Sequence, residues 1–135
     1  MRKIRAHHLL CMQGFQGYGY SPDFVERMKH IIEVMYSDSS DDVEIVSCCD
    51  DICDCCPHNV ENVCQKTGDN GKNIRETDAL ILRKLGFREG YCANFMDLIR
   101  YVNRQLDKDD VLEICGECAW KEKCLWYMKN VGLKY

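Results

Sequence analysis

Ile52-Cys53-Asp54-Cys55-Cys56, followed by Cys64, and Ile114-Cys115-Gly116-Glu117-Cys118, followed by Cys124, repeat one arrangement. Each is an isoleucine, a Cys-x2-Cys pair and a third cysteine a few residues on. Thiolate–metal coordination is the chemistry this spacing suits. The backbone reverses between the paired sulfurs, so both can aim at one soft cation. Two such hooks supply four thiolates, the number a tetrahedral zinc ion takes. An iron–sulfur cluster also takes four cysteines, and Cys56-Pro57 has the Cys-Pro form that ends a bacterial ferredoxin run. Zinc is therefore the first expectation and a 4Fe–4S cluster the second, with Cys53, Cys56, Cys64, Cys115, Cys118 and Cys124 as ligands. Inert, buried cysteine is the plainer alternative, because a thiol packs like a small hydrophobe.

A second constellation lies near the N-terminus. Cys11 follows His8 by three residues and His7 by four, so on a helix all three share a face. They are candidates for a nitrogen-plus-sulfur contribution to the metal, and a capped helix with one exposed histidine is the alternative. Cys48, Cys49, Cys55 and Cys92 fit neither hook and read as packing or surface thiols. His58 is a candidate substitute ligand that reads better as a surface residue, His30 reads as a surface residue, and Trp120 and Trp126 read as core. Asp50-Asp51 reads as a turn, where aspartate bonds nearby backbone, with a carboxylate that orients a histidine ligand as the sharper alternative.

These residues need elements to place them. Lys3–Ala6 reads as a short strand that runs into a helical turn through His7, His8 and Cys11. Gly14, Gly17 and Gly19 follow, interleaved with aromatic residues; the spacing matches neither a phosphate loop nor a dinucleotide fingerprint. Ser21-Pro22 starts the clearest helix, with Ser as N-cap, Pro at the first helical position and Asp23 in the first turn. Its apolar stripe is Phe24, Met28, Ile31, Ile32 and Met35. Val43–Cys49 reads as a strand, Ala79–Leu85 as a helix stopped by Gly86, and Asn94 as the cap of a helix with Phe95, Leu98, Ile99, Val102 and Leu106 inward. After an acidic turn at Asp107–Asp110, Val111–Ile114 reads as extended, and Ala119–Asn130 as a closing helix. The expectation is one α-rich α+β domain over residues 1–135, with four or so helices, a small sheet and the two hooks.

Composition narrows the function. The chain has 135 residues, a net charge of -4 and scattered Lys and Arg, which argues against a nucleic-acid footprint. No run reaches membrane-spanning length, and the N-terminus lacks the apolar stretch of a signal peptide. Eleven cysteines is an odd number, and adjacent pairs such as Cys48-Cys49 are poorly placed for mutual disulfides. A reduced, cytoplasmic, monomeric chain whose thiols hold metal accounts for this better than a secreted disulfide scaffold. No protein partner is indicated.

Three further stretches carry a resemblance. Arg5-Ala6-His7-His8-Leu9-Leu10-Cys11, Gly17-Tyr18-Gly19-Tyr20-Ser21-Pro22 and Asp50-Asp51-Ile52-Cys53, with the C-terminal cysteine pair, together resemble the uncharacterised family called domain of unknown function 1284. The family pattern begins Arg-Pro-His-His, and Ala6 stands here in place of the proline. The resemblance implies a small cytoplasmic prokaryotic protein that binds metal or an iron–sulfur cluster, and it adds weight to His7, His8, Cys11 and Cys53. It supplies no substrate. Three functions stay open: a structural or regulatory zinc protein, a cluster-bearing redox or sensor protein, and a small metal-dependent enzyme with an open coordination position.

Overall fold

The computed structural model describes residues 2–18, 21–37, 42–47, 49–50, 52–53, 56–57, 59–60, 63–64, 72–116, 118 and 123–132. In chain order the elements are β1 (Arg2–Arg5), α1 (His8–Gly14), α2 (Pro22–Met35), β2 (Asp42–Val46), β3 (Asn59–Val60), β4 (Val63–Cys64), α3 (Lys72–Leu85), β5 (Cys92–Asn94), α4 (Phe95–Gln105), α5 (Lys108–Cys115) and α6 (Leu125–Val131). The fold is α+β and helix-rich, as the hydrophobic periodicities imply.

Three strands form a mixed sheet in the order β1-β2-β5. β1 runs parallel to β2, with Ile4 opposite Ile45 and Arg5 opposite Val46, while β5 is antiparallel to β2. A parallel pair needs a crossover, and α1 and α2 supply it. β3 and β4 make a separate two-stranded ladder in which Asn59 pairs with Cys64.

Local chemistry explains where the helices start and stop. Ser21 caps α2 by accepting the Phe24 N–H, and Pro22 opens the helix. Phe24, Met28, Ile31 and Met35 are its buried face. Asn94 caps α4 by accepting the Asp97 N–H. α3 ends where Gly86 takes a φ of +76°, a left-handed conformation that glycine adopts at little cost. The core gathers Ile4, Leu9, Ile31, Met35, Val43, Ile45, Ile52, Ile81, Phe95, Val102 and Val111, all fully buried.

Two expectations are corrected. Val111–Ile114 is helical, inside α5. Asp107 accepts the Asp110 N–H while the Asp110 carboxylate accepts the Asp107 N–H, so the acidic stretch is a capping box that starts a helix. The closing helix starts at Leu125, since Cys124 is extended at its N-cap (φ -109°, ψ 111°); residues 119–122 lie outside the described ones. Six helices are present among the described residues, because α5 is one and the expected turn at His7–Cys11 grows into α1. None of them is long and apolar enough to cross a membrane.

Candidate metal centre

β1 ends at Arg5, and the chain turns through Ala6 and His7 into α1. The turn lays two consecutive histidines over the end of the sheet, where two buried carboxylates meet them. His8 Nδ1 and Asp50 Oδ2 are 2.7 Å apart. An ionised carboxylate can only accept, so Nδ1 carries the proton and donates it to Asp50. Asp50 Oδ2 also accepts the Arg5 N–H at 2.7 Å. Asp50 Oδ1 accepts the N–H groups of Ile52 and Cys53, at 3.0 and 3.1 Å.

His7 repeats the arrangement with a different partner. Its Nδ1 lies 2.7 Å from Asp78 Oδ1, and its backbone N–H donates to the same oxygen at 3.0 Å. Asp78 Oδ2 accepts from Arg5 Nε at 2.9 Å. Arg5 thus bridges the two units, its backbone on one carboxylate and its guanidinium on the other, and Nη2 donates to the Ser47 carbonyl at 3.1 Å. The two imidazole rings sit 4.3 Å apart, centroid to centroid, at a tilt of 58°.

Burial sets the electrostatics. Arg5 is 2% exposed and Asp78 0%. Burial would raise the carboxyl of Asp50, but His8 and the Arg5 N–H outweigh it and hold the group well below the usual carboxylate range. Asp78 is lowered likewise, by His7 and Arg5 against burial. Burial lowers the His7 pKa, more than Asp78 raises it. Two carboxylates here face one guanidinium, and the corner welcomes a cation.

Cys53 completes a group of three. Ligand atoms of His8, Asp50 and Cys53 all lie within 4.8 Å of one another, and all three residues are buried. Burial and then the Asp50 carboxylate push the Cys53 thiol up. That is the opposite of what activates a nucleophilic cysteine, and it leaves a thiol that loses its proton only when a cation takes the proton's place. Asp50 itself, with four N–H donors on two oxygens, is better suited to orienting its neighbours than to bonding a metal.

The other predicted ligands are placed as follows. Both Cys-x2-Cys segments close with one backbone bond, Cys56 N–H to the Cys53 carbonyl at 3.0 Å and Cys118 N–H to the Cys115 carbonyl at 2.9 Å. Cys64 is on β4, its side chain outside the description. Cys115, at the end of α5, is pushed up to about 12 by burial and then by Cys118 and Cys124 nearby. Cys124 is raised by burial, against the N–H groups of Tyr127 and Trp126. Cys11 is half-buried on α1. Among the described residues, neither the four paired thiols nor His7, His8 and Cys11 make a group as tight as His8, Asp50 and Cys53. His58, Cys48 and Cys55 lie outside the described residues, and Cys92 is exposed on β5.

The family described as "Protein of unknown function (DUF1284)" matches residues 19–124. The chain belongs to that family. The DUF1284 match takes in Asp50, Cys53, Asp78, both Cys-x2-Cys pairs and Cys124, and it begins after His7, His8 and Cys11. No curated protein and no solved structure matches the chain. The His/Asp/Cys group and the many cysteines are compatible with metal binding.

Proposed function

We propose that this protein binds a thiophilic transition-metal ion, zinc foremost, in a structural or regulatory role in the cytoplasm. His8 is the nitrogen donor, and the remaining positions are filled by thiolates drawn from Cys53, Cys56 and Cys64 in the first segment and Cys115, Cys118 and Cys124 in the second. The observation that carries this reading is the buried approach of His8 and Cys53 to Asp50 within 4.8 Å. A carboxylate on one imidazole nitrogen fixes the tautomer and leaves the other to a metal, the usual support for a metal-bound histidine. Mixed nitrogen and sulfur donors select zinc-like ions over calcium or magnesium, which take oxygen.

The 4Fe–4S reading draws on a separate observation. Cys115, Cys118 and Cys124 lie near one another, close enough that the other two push the Cys115 thiol up. Three neighbouring thiols joined by one further cysteine make the four-cysteine set that a cluster takes. The test is elemental analysis and visible absorption of protein purified without oxygen, followed by cobalt replacement. Zinc at a stoichiometric level, and a thiolate-to-cobalt band that weakens in Cys53→Ser, are expected. Iron with acid-labile sulfide would establish the second reading, and a metal-free, colourless protein that binds no cobalt would end both.

A further inference from the structure

His7 occupies the N-cap of α1 and makes no capping hydrogen bond from its side chain. Ser, Thr, Asp or Asn there would satisfy a helix N–H and add stability. The His7 ring is instead held by Asp78, a carboxylate supplied by α3 from 71 residues away. Asp78 is itself an anomaly, a fully buried charge in the apolar stripe of a helix that buries Ile81, Leu82 and Leu85 beside it. Two residues unfavourable for their own helices meet each other. The outcome is a second imidazole built like the first, with Nδ1 on a buried carboxylate and Nε2 left over.

Neither Nε2 has a hydrogen-bond partner among the described residues, where the one sealed side-chain nitrogen or oxygen without a partner is Asn59 Oδ1. Both Nε2 atoms therefore open toward solvent, and the His7 side chain is 22% exposed. The rings are 4.3 Å apart and cannot drift, because Arg5 ties both carboxylates to the end of β1. Two imidazoles side by side, each with its Nδ1 held on a carboxylate and its Nε2 left over, are a preorganised pair of nitrogen donors for a borderline divalent cation.

We propose that His7 and His8 act as one two-nitrogen chelate, both through Nε2, with Asp78 and Asp50 as their positioning residues. The ion approaches from the solvent side and does not replace the proton between His8 and Asp50. This rests on the reading that the chain binds a transition metal, and it adds a second histidine and the side from which the ion comes.

The experiment is proton NMR of the full chain loaded with cobalt(II), in water and in heavy water. An imidazole bound through Nε2 keeps its Nδ1 proton, which cobalt shifts far outside the ordinary range and which vanishes in heavy water. Two such resonances are expected in the wild type, slow to exchange because each proton sits on a buried carboxylate. His7→Ala should remove one, keep the other and retain the thiolate-to-cobalt band. Asp78→Asn should weaken cobalt binding about 10- to 100-fold and speed exchange of one resonance. A wild type with one shifted imidazole resonance and an intact thiolate band would overturn the chelate and leave metal binding standing. A wild type that binds no cobalt would overturn both. The wild-type count needs no variant, so misfolding of either substituted chain leaves the test decisive.

Discussion

Asp50 collects four N–H donors on two oxygens, from Arg5, His8, Ile52 and Cys53. An asparagine there keeps one acceptor and presents an NH2 to donors, so at least one buried N–H loses its partner. Asp50→Asn should cost on the order of 1–3 kcal/mol in urea unfolding and about 10- to 100-fold in metal affinity, measured by competition with a chromophoric chelator. Acid behaviour follows from the same residue. A carboxylate whose folded pKa is depressed contributes stability that is complete above its unfolded value, about 4, and is lost as pH falls through the lower folded value. The wild type should therefore weaken as pH drops below about 4, and the variant's stability should fall less steeply over that range. An equally steep acid limb in the variant would take this role away from Asp50. The sequence made Asp50 legible as a turn former, and it does close a turn onto Ile52 and Cys53. It did not show Asp50 reaching His8 and Arg5, because those partners are 42 and 45 residues away. Asp78 belongs to no motif; its one signal was a charge in the apolar stripe of α3.

At the scale of elements, α1 holds the histidines at one end and meets α6 at the other. A Cβ added at Gly14 would overlap Cys124 Sγ and come within 2.9 Å of the Trp126 backbone nitrogen. The backbone of α1 thus lies directly on the start of α6, and only glycine permits it. Gly14→Ala would favour helix by itself, yet it must push α6 away. The expected outcome is a net loss of about 1–3 kcal/mol, with reduced quenching or a shifted emission of Trp126, which is buried on α6. Unchanged stability would mean that the two helices yield without cost. Elements with local signatures were readable in advance: Ser21-Pro22 for α2, Asn94 for α4 and Gly86 for the end of α3. The sequence does not display α5, because Asp107-x2-Asp110 carries aspartate where a capping box commonly has glutamate or glutamine, so the acidic run reads as a turn. α1 outgrew its expected turn because it packs on α6, a tertiary cause that periodicity cannot display.

In the whole molecule, the corner around Arg5 joins segments that the chain keeps far apart. Arg5 and His7 bond to Ser47, Asp50 and Asp78, at separations of 42 to 73 residues. A cation at this corner closes long loops and offsets buried negative charge together, so binding free energy becomes folding free energy. Metal at about 100 times its dissociation constant adds about 2.7 kcal/mol, which for a chain of this size corresponds to a rise in Tm of roughly 10 °C. Chelation under reducing conditions should remove that increment. The order of loosening is the sharper expectation. Hydrogen exchange should rise first at Arg5, His7, Ile52 and Cys53, whose N–H groups end on the two carboxylates, and around Cys115–Cys118. α2 should hold longer, because its buried face of Phe24, Met28, Ile31 and Met35 itself carries no thiol or imidazole. If exchange after verified metal removal rises uniformly, or the melting curve does not move, the centre does not stabilise the fold, and Arg5 with the N–H groups around the two carboxylates suffices to hold them.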